Sequence, residues 1–330
     1  MQLVDIADLH VSFAQHEGLV QAVRGVTFHL EPGESLGIVG ESGSGKSVTC
    51  AALMRLLREP PARITAKRMM LGGHDMLATG RKAASTIRGK VAAMVFQDPM
   101  TSLDPVFTIG HQIAETIRAH RPVTKRDALE EAIALLRRVE IKRPELVVRQ
   151  YPHELSGGML QRVIIAMALS CRPEVLIADE PTTALDVTIQ AQILQLIKDI
   201  QAETGMGLIM ITHDLGVVAE TVDRVVVMYG GKVMESGPVE AIFEAPLHPY
   251  TRALLDSIPG QAAGKRRLVE IKGSSPNPVT PPPGCPFHPR CPRATIECRQ
   301  VTPPLEAKAA GRLAACIHVP AEVPPVEVAA

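Results

Sequence analysis

A glycine-rich stretch near the start of the chain carries the residue types that bind phosphate groups. Residues 40–47 read GESGSGKS, which matches the G-x-x-x-x-G-K-S pattern of a phosphate-binding loop between a strand and a helix. Its glycines allow backbone angles that cost other residues about 1–2 kcal/mol, so successive N–H groups can turn towards phosphate oxygens. Lys46 can reach the β- and γ-phosphates of a nucleotide, and the Ser47 hydroxyl can ligate Mg²⁺. The predicted phosphate site comprises Gly40, Glu41, Ser42, Gly43, Ser44, Gly45, Lys46, Ser47 and Val48.

Two adjacent carboxylates follow a second apolar run, VLIA at residues 175–178. A strand there would deliver Asp179 to the end of a sheet, where its carboxylate can hold the Mg²⁺ shell. Glu180 lies one residue further on and can orient and deprotonate an attacking water, a contribution of roughly 10²–10⁴-fold in rate. The phosphate loop alone would fit a GTPase, a kinase or a motor protein. The acidic pair after a second buried strand narrows the choice among these classes of P-loop protein.

A third stretch, LSGGM at residues 155–159, contains no acid, base, nucleophile or metal ligand. It stands at the head of a run that reads as an apolar helix. The first amides of a helix have no partner within it, and the helix dipole favours negative charge at that end. The Ser156 hydroxyl and the amides of Gly157 and Gly158 could therefore bind an anion, and a tight helix entry without a ligand is the alternative at this point.

The motifs stand at the ends of predicted strands, which show as apolar runs and alternate along the chain with predicted helices. Residues 1–39 alternate apolar and polar positions, and the continuous apolar runs at 91–97, 174–179 and 207–212 read as buried strands. Strands that alternate with helices predict a parallel sheet covered on both faces. The predicted fold class is α/β: a P-loop NTPase core with a mixed sheet between helices, an N-terminal antiparallel part and a helical insert.

The composition argues against several partner classes. The chain has 330 residues with 35 Lys and Arg against 35 Asp and Glu, so it has no overall attraction for nucleic acid or anionic lipid. Aromatic residues make up only 3% of the chain, which argues against stacking on single-stranded bases. No run of about 18 apolar residues occurs, and the first residues lack a basic stretch followed by an apolar one. We expect no nucleic-acid partner, no membrane-spanning segment and a cytoplasmic location.

The order and approximate spacing of the motifs resemble those of the ABC transporter ATPase subunits. The resemblance covers residues 1 to about 250 and rests on GESGSGKS, VFQDP with Gln97, LSGGM, VLIADE, ALD at 184–186 and ITHD with His213. It implies that ATP is bound with Mg²⁺ and that two ATPase subunits pair head to tail. Each nucleotide would lie between the phosphate loop of one subunit and the LSGGM signature of the other, which explains why LSGGM carries no catalytic group. Met159 replaces the commoner glutamine, a change that we expect to be tolerated.

The same resemblance implies roles for residues outside the two loops. Gln97 would sense Mg²⁺ and the attacking water where the helical insert joins the core, and would relay nucleotide state to membrane subunits. His213 would contact the γ-phosphate, and Asp186 would belong to the loop that crosses the dimer interface. Phe13 is the candidate for stacking on adenine, with a role in the core as the alternative. The implied catalytic residues are Glu180, His213 and Gln97, and the implied Mg²⁺ ligands are Ser47, Gln97 and Asp179.

The C-terminal part of the chain resembles the extension of the oligopeptide and dipeptide importer ATPases. The resemblance begins at HPYTRALLDSIP, from His248, and continues through a proline-rich stretch. We predict an ATPase domain at residues 1–250, with a helical subdomain at about 98–170. An irregular extension is predicted for residues 251–330.

Four of the six cysteines lie in this extension, separated by five, six and seventeen residues. Four thiolates can hold zinc or an iron–sulfur cluster, whereas two disulfides are disfavoured in a cytosolic protein. The short spacing that is usual in structural zinc sites is absent, and importer ATPases with four such cysteines are associated with a 4Fe–4S cluster. We therefore expect a structural 4Fe–4S cluster, with zinc as the alternative. The implied ligands are Cys285, Cys291, Cys298 and Cys316.

Together the resemblances imply the motor subunit of a membrane importer, in which ATP binding closes a dimer and hydrolysis reopens it. The implied partners are a related second ATPase subunit, two transmembrane permease subunits and an extracytoplasmic substrate-binding protein, although a homodimer is physically possible. The implied location is the cytoplasmic face of the membrane. A soluble ABC ATPase acting on DNA or ribosomes is the alternative. Di- and oligopeptides are the expected cargo, with nickel chelates, glutathione, opines or sugars still open.

Overall fold

The strands of the described residues form two sheets. The computed structural model describes residues 2–16, 18–183, 185–258 and 271–321. Within these residues the strands are β1 (Val4–Gln15), β2 (Gly18–Leu30), β3 (Ser35–Val39), β4 (Ala62–Thr65), β5 (Arg68–Leu71), β6 (His74–Asp75), β7 (Ala92–Val95), β8 (Val175–Asp179), β9 (Gly207–Thr212), β10 (Arg224–Tyr229), β11 (Lys232–Pro238), β12 (Glu306–Ala309) and β13 (Arg312–Ala314).

Helices occupy most of the segments between the strands. They are α1 (Lys46–Leu53), α2 (Arg81–Ile87), α3 (Pro99–Ser102), α4 (Ile109–His120), α5 (Lys125–Arg138), α6 (Pro144–Val147), α7 (Gly157–Leu169), α8 (Val187–Thr204), α9 (Leu215–Thr221), α10 (Val239–Glu244), α11 (Pro249–Asp256) and α12 (Ile296–Gln300), with 3-10 turns at Pro152–Glu154 and His288–Arg290. In the described part of the chain, no helix combines the length and the apolar character needed to cross a membrane.

The large sheet brings the predicted motifs to one edge. Its strand order is β12-β13-β11-β10-β3-β9-β8-β7, and the five strands from β10 to β7 are parallel. Every residue of β3, β8 and β9 is buried, as expected for parallel strands that are covered on both faces. The phosphate loop follows β3, His213 follows β9, the acidic pair ends β8 and Gln97 follows β7. Because these strands are parallel neighbours, their carboxyl ends lie together, where α/β proteins bind ligands.

Two hydrophobic cores cover the faces of this sheet. Alternate residues of β8 divide between them: Leu176 and Ala178 belong to the core shared with the helices, and Val175 and Ile177 to the core shared with the N-terminal sheet and α1. This division follows from the two-residue period of a strand. The N-terminal sheet has the order β2-β1-β5-β6, with β4 also paired to β1, and these pairings are antiparallel. The predicted α/β class with an antiparallel N-terminal part is confirmed.

The end of the C-terminal extension joins the large sheet. Strand β13 pairs with β11, with Glu235 opposite Ala314, and β12 continues the sheet beyond β13. The sequence pattern does not predict these two strands, because each is short and their pairing partner lies far away in the chain. Most of residues 271–305 are irregular, as expected, apart from α12 and one 3-10 turn. Residues 259–270 and 322–330 of the predicted extension lie outside the described residues, and the division near residue 250 stays a prediction.

Candidate functional site: a phosphate loop facing a carboxylate pair

The phosphate loop adopts backbone angles that only glycine accepts easily. Gly40 has φ +148° and Gly45 has φ +100°. A Cβ on Gly40 would lie 2.1 Å from the carbonyl oxygen of Met228, and a Cβ on Gly45 would lie 2.5 Å from that of Ala22. Both positions therefore require glycine for two reasons, the positive φ and the close approach of another backbone. The loop passes directly into α1, whose first residue is Lys46.

Lys46 is buried and points back into its own loop. Its Nζ donates to the carbonyl oxygens of Gly40 at 2.7 Å and Glu41 at 3.0 Å. Burial lowers the pKa of Lys46, and the nearby carboxylates of Glu180, Asp179 and Glu41 act in the opposite direction. An ammonium group in this position is available to an incoming phosphate, whose charge would replace the two carbonyl dipoles.

Two of the three predicted Mg²⁺ ligands, Ser47 and Asp179, are in contact. Ser47 Oγ donates a hydrogen bond of 2.9 Å to Asp179 Oδ1. Burial raises the pKa of Asp179, and the bond from Ser47 opposes this effect. A hydroxyl and a buried carboxylate at this separation are suitable oxygen ligands for Mg²⁺ beside a bound phosphate.

The three predicted catalytic residues meet at Glu180. Its Oε2 accepts hydrogen bonds from Gln97 Nε2 at 2.9 Å and Thr183 Oγ1 at 2.8 Å, and its Oε1 lies 3.3 Å from His213 Nδ1. Glu180 has φ +47°, a left-handed conformation that is uncommon for a residue other than glycine and that occurs preferentially at functional sites. Its side chain is 15% exposed, whereas that of His213 is 63% exposed. Thr183 was not predicted, because a threonine three residues after a carboxylate gives no distinctive pattern.

The LSGGM stretch begins α7 without a capping side chain. Ser156 is the N-cap of the helix and its side chain makes no capping hydrogen bond. Ser156 and Gly157 are exposed, and Gly158 is half-buried against α8, where a Cβ would lie 2.8 Å from Ile189 Cγ2. The exposed hydroxyl and the first amides of α7 are therefore directed towards an open surface, as an anion receptor requires.

Two other predicted nucleotide residues have structural partners within the chain. The Asp186 carboxylate caps α8 by accepting a hydrogen bond of 2.9 Å from the amide of Ile189. Phe13 is half-buried on β1, opposite Val20 and Ala62, and packs against the N-terminal core. Their contacts with nucleotide stay predictions. Within the predicted loop, Ser42 is exposed, Ser44 is buried and Val48 is half-buried.

The four cysteines of the extension line one small cavity. Cys285, Cys298 and Cys316 are buried and Cys291 is half-buried. Burial raises the pKa of Cys285 to about 11, so its thiolate needs a cation to stabilise it. The donor set is therefore suited to a metal centre, but among the described residues no three His, Cys, Asp or Glu side chains are arranged so that they could hold a metal ion. For the described residues, the structure thus shows the convergence of the thiols without an arrangement that could hold a metal ion.

The extension is attached to the core through a buried ion pair. Glu235 on β11 is fully buried and accepts hydrogen bonds from Arg312 Nη2 at 2.8 Å, the amide of Leu247 at 2.9 Å and the amide of His248 at 2.8 Å. No sequence pattern predicts this pair, because the residues are 77 positions apart. The Glu235 carboxylate therefore connects β11 with Leu247 and His248, at the start of the HPYTRALLDSIP stretch, and with β13.

Comparison with known proteins gives matches along nearly the whole chain. The family model for "ABC transporter" matches residues 23–183, and the model for "Oligopeptide/dipeptide transporter, C-terminal region" matches residues 234–298. The chain is 50% identical, over 95% of its length and 94% of the relative, to a "Probable peptide ABC transporter ATP-binding protein" of Sinorhizobium fredii. It is 53% identical, over 84% of its length, to a "Glutathione import ATP-binding protein" of Shigella dysenteriae, of which it spans 46%.

A solved structure supports the similarity of the fold. The dimeric post-hydrolysis structure of the ATP-binding cassette MJ0796, bound to ADP and Pi, matches with a TM-score of 0.65 and 25% identity. The match covers 72% of this chain and 98% of that one. The similarity therefore includes almost all of a complete cassette and leaves part of this chain outside it.

Proposed function

The chain belongs to the family of peptide ABC transporter ATP-binding proteins, and from this premise we propose that it is the ATP-hydrolysing motor subunit of a di- or oligopeptide importer. Members of this family are ATPases that power transport. The observation that carries the assignment is the convergence of Gln97, Thr183 and His213 on Glu180, beside the bonded pair of Ser47 and Asp179. A base that is held by three neighbours next to a phosphate loop is suited to the activation of water.

The geometry supports a separate role in ATP hydrolysis for each of these residues. Water attacks the γ-phosphorus, the bond from phosphorus to the β,γ-bridging oxygen breaks, and ADP leaves with that oxygen. Glu180 takes the proton from the water, while Gln97 and His213 hold its carboxylate in place. Lys46 and the loop amides neutralise the phosphate charge. Mg²⁺, bound through Ser47 and Asp179, would supply further neutralisation of the phosphate oxygens.

We propose that the working unit contains two ATPase subunits. The phosphate loop and the LSGGM stretch are each one half of a nucleotide site, and the MJ0796 cassette is similar in fold and was solved as a dimer. A related second ATPase subunit could supply the other half of each nucleotide site, and so could a second copy of this chain. The test is the rate of ATP hydrolysis per chain as the purified protein is diluted, alone and with the second ATPase. A rate per chain that stays constant down to concentrations at which only monomer is present would contradict the proposal.

The surface near Gln97 supports contact with membrane permease subunits. Phe96, Met100, Val106 and Phe107 expose between 41% and 68% of their surface. Exposed apolar side chains that cluster in sequence next to a catalytic residue are typical of a protein interface. We propose that one of the two permease subunits of the importer binds here and places the chain at the cytoplasmic face of the membrane. An extracytoplasmic binding protein would deliver the cargo, and no nucleic acid is expected.

Peptide is the proposed cargo, and the C-terminal family match supports it. The relative named for glutathione import is as similar in sequence as the one named for peptides, so the cassette itself does not define the cargo. The test is to search the neighbouring genes for a substrate-binding protein and to titrate that protein by calorimetry with dipeptides, longer peptides, glutathione and nickel chelates. Binding of glutathione or nickel but of no peptide would overturn the peptide assignment and leave the ATPase assignment intact.

We also propose that Cys285, Cys291, Cys298 and Cys316 hold a 4Fe–4S cluster. Their convergence on one buried cavity supports the proposal. The test is analysis of iron, acid-labile sulfide and zinc in protein purified without oxygen, with Cys50→Ser and Cys171→Ser as controls outside the cavity. We expect about four iron and four sulfide per chain. Stoichiometric zinc, or no metal at all, would refute the cluster.

A further inference from the structure

Glu41, the second residue of the phosphate loop, is held by residues of the C-terminal extension. Its Oε2 accepts hydrogen bonds from Ser275 Oγ at 2.6 Å and Arg290 Nη1 at 2.7 Å. Its backbone amide donates to the Tyr250 hydroxyl at 3.0 Å. All three partners lie more than two hundred residues away from the loop in sequence. The extension is thus in direct contact with the nucleotide site as well as with the outer strands.

Arg290 is fixed by contacts with three further groups. Its guanidinium donates to the Tyr229 hydroxyl at 3.1 Å and to the carbonyl oxygens of Ile271 at 2.9 Å and Lys272 at 3.0 Å. It also lies 5.7 Å from the centre of the Tyr229 ring. The side chain is only 7% exposed. Each of the three guanidinium nitrogens donates at least one hydrogen bond, which holds the group in position, so its charge stays beside Glu41.

The negative charge of Glu41 lies close to the predicted phosphate site. Glu41 belongs to the phosphate loop, and its backbone carbonyl oxygen accepts a hydrogen bond of 3.0 Å from Nζ of Lys46, the residue that would contact the β- and γ-phosphates. A carboxylate of the phosphate loop repels a bound triphosphate unless a positive charge compensates its negative charge. Arg290 supplies this compensation in a site that is largely shielded from water, where screening is weak.

We propose that Arg290 is a positioning residue for nucleotide binding: it neutralises Glu41 and fixes the phosphate loop, so that the extension sets the affinity for ATP. The inference rests on the proposed ATP binding at this loop. Arg290 acts through Glu41 and is not a catalytic residue. It ends the 3-10 turn His288–Arg290 and directly precedes Cys291, so the conformation of the segment that lines the cysteine cavity also determines the position of the guanidinium.

The experiment is a set of equilibrium titrations of the purified full chain with Mg²⁺ and a fluorescent ATP analogue. Arg290→Ala should weaken binding about tenfold or more, since it removes one charge and leaves Glu41 uncompensated. Arg293→Ala is the matched control, because Arg293 lies in the same segment, is exposed and should change affinity by less than about twofold. In an Arg290→Ala background, Glu41→Gln should restore most of the lost affinity.

Rescue by the second substitution separates this role from a structural one. If Arg290 only packs the extension, removal of the Glu41 charge will not restore affinity, and that result overturns the proposal. Equal affinity of Arg290→Ala and the unaltered chain does so as well. If Arg290→Ala does not fold, Arg290→Gln, which keeps hydrogen-bond donors without the charge, replaces it under the same criteria. Failure of the unaltered chain to bind the analogue would count instead against the proposed ATP site.

Discussion

Gln97 and Glu180 are 83 positions apart in sequence, yet the Gln97 side-chain amide donates a hydrogen bond of 2.9 Å to the Glu180 carboxylate. Gln97 follows β7 and Glu180 follows β8, which is its parallel neighbour. The pair therefore connects the entrance of the helical part of the chain to the proposed catalytic base. A shift of either segment would change how Glu180 is held.

Glu180→Gln should abolish most ATP hydrolysis while ATP binding is retained. The amide has the same shape but cannot accept the proton of the attacking water, so we expect a loss of roughly 10²–10⁴-fold in turnover. Steady-state hydrolysis of the assembled transporter and equilibrium ATP binding are the two measurements. Glu203→Gln, at an exposed position far along α8, is the control. Full turnover by the Glu180 variant would remove it from the role of base.

Lys46→Ala should weaken ATP binding by about 1.5–3 kcal/mol, the usual contribution of a charged hydrogen-bonding partner. The reason is that Lys46 is the buried cation of the phosphate loop, and in its place only carbonyl oxygens would face the nucleotide. Lys67→Ala is a matched control, because the Lys67 side chain is 78% exposed and pairs with Asp8 at the surface. Equal ATP affinities for the two variants, measured by calorimetry, would exclude the assigned role of Lys46.

Gly157→Ala and Gly158→Ala should differ in their effects on folding. A Cβ on Gly158 would lie 2.8 Å from Ile189, whereas one on Gly157 would make an ordinary contact of 3.6 Å with Leu185. We therefore expect Gly158→Ala to lower the free energy of unfolding by about 1–3 kcal/mol, as overpacking usually does. Gly157→Ala should leave stability nearly unchanged but reduce hydrolysis, because its methyl group would lie on the exposed face of the signature. Urea unfolding compares the two, and equal losses of stability would contradict the packing argument.

Arg312→Ala should destabilise the chain by about 3–5 kcal/mol, the cost of leaving one partner of a buried ion pair unpaired. Glu235 is fully buried and Arg312 is its only cationic partner among the ion pairs of the described residues. Arg126→Ala, which breaks the exposed pair with Glu130, should cost less than about 1 kcal/mol. Chemical unfolding measures both, and Glu235→Gln in the Arg312→Ala background should recover part of the loss. Equal losses for Arg312→Ala and Arg126→Ala would show that the buried pair does not attach the extension.

The sequence by itself determined the phosphate loop, the strand that ends in the acidic pair and the alternation of strands with helices. These are local patterns: GESGSGKS requires its glycines for backbone angles within eight residues, and each buried strand shows as a continuous apolar run. The same reasoning gave the four cysteines as a group, because three of them stand close together in a proline-rich stretch and the fourth follows it.

Only the tertiary structure decided how distant segments meet. The order of the parallel strands places Gln97 and His213 around Glu180, the register of β13 on β11 pairs Arg312 with Glu235, and the extension directs Arg290 at the phosphate loop. None of these contacts has a local signature, because residues far apart in a chain are brought together by burial of the whole core rather than by the propensities of their neighbours. A short strand such as β13 likewise exists only because β11 offers it a paired edge.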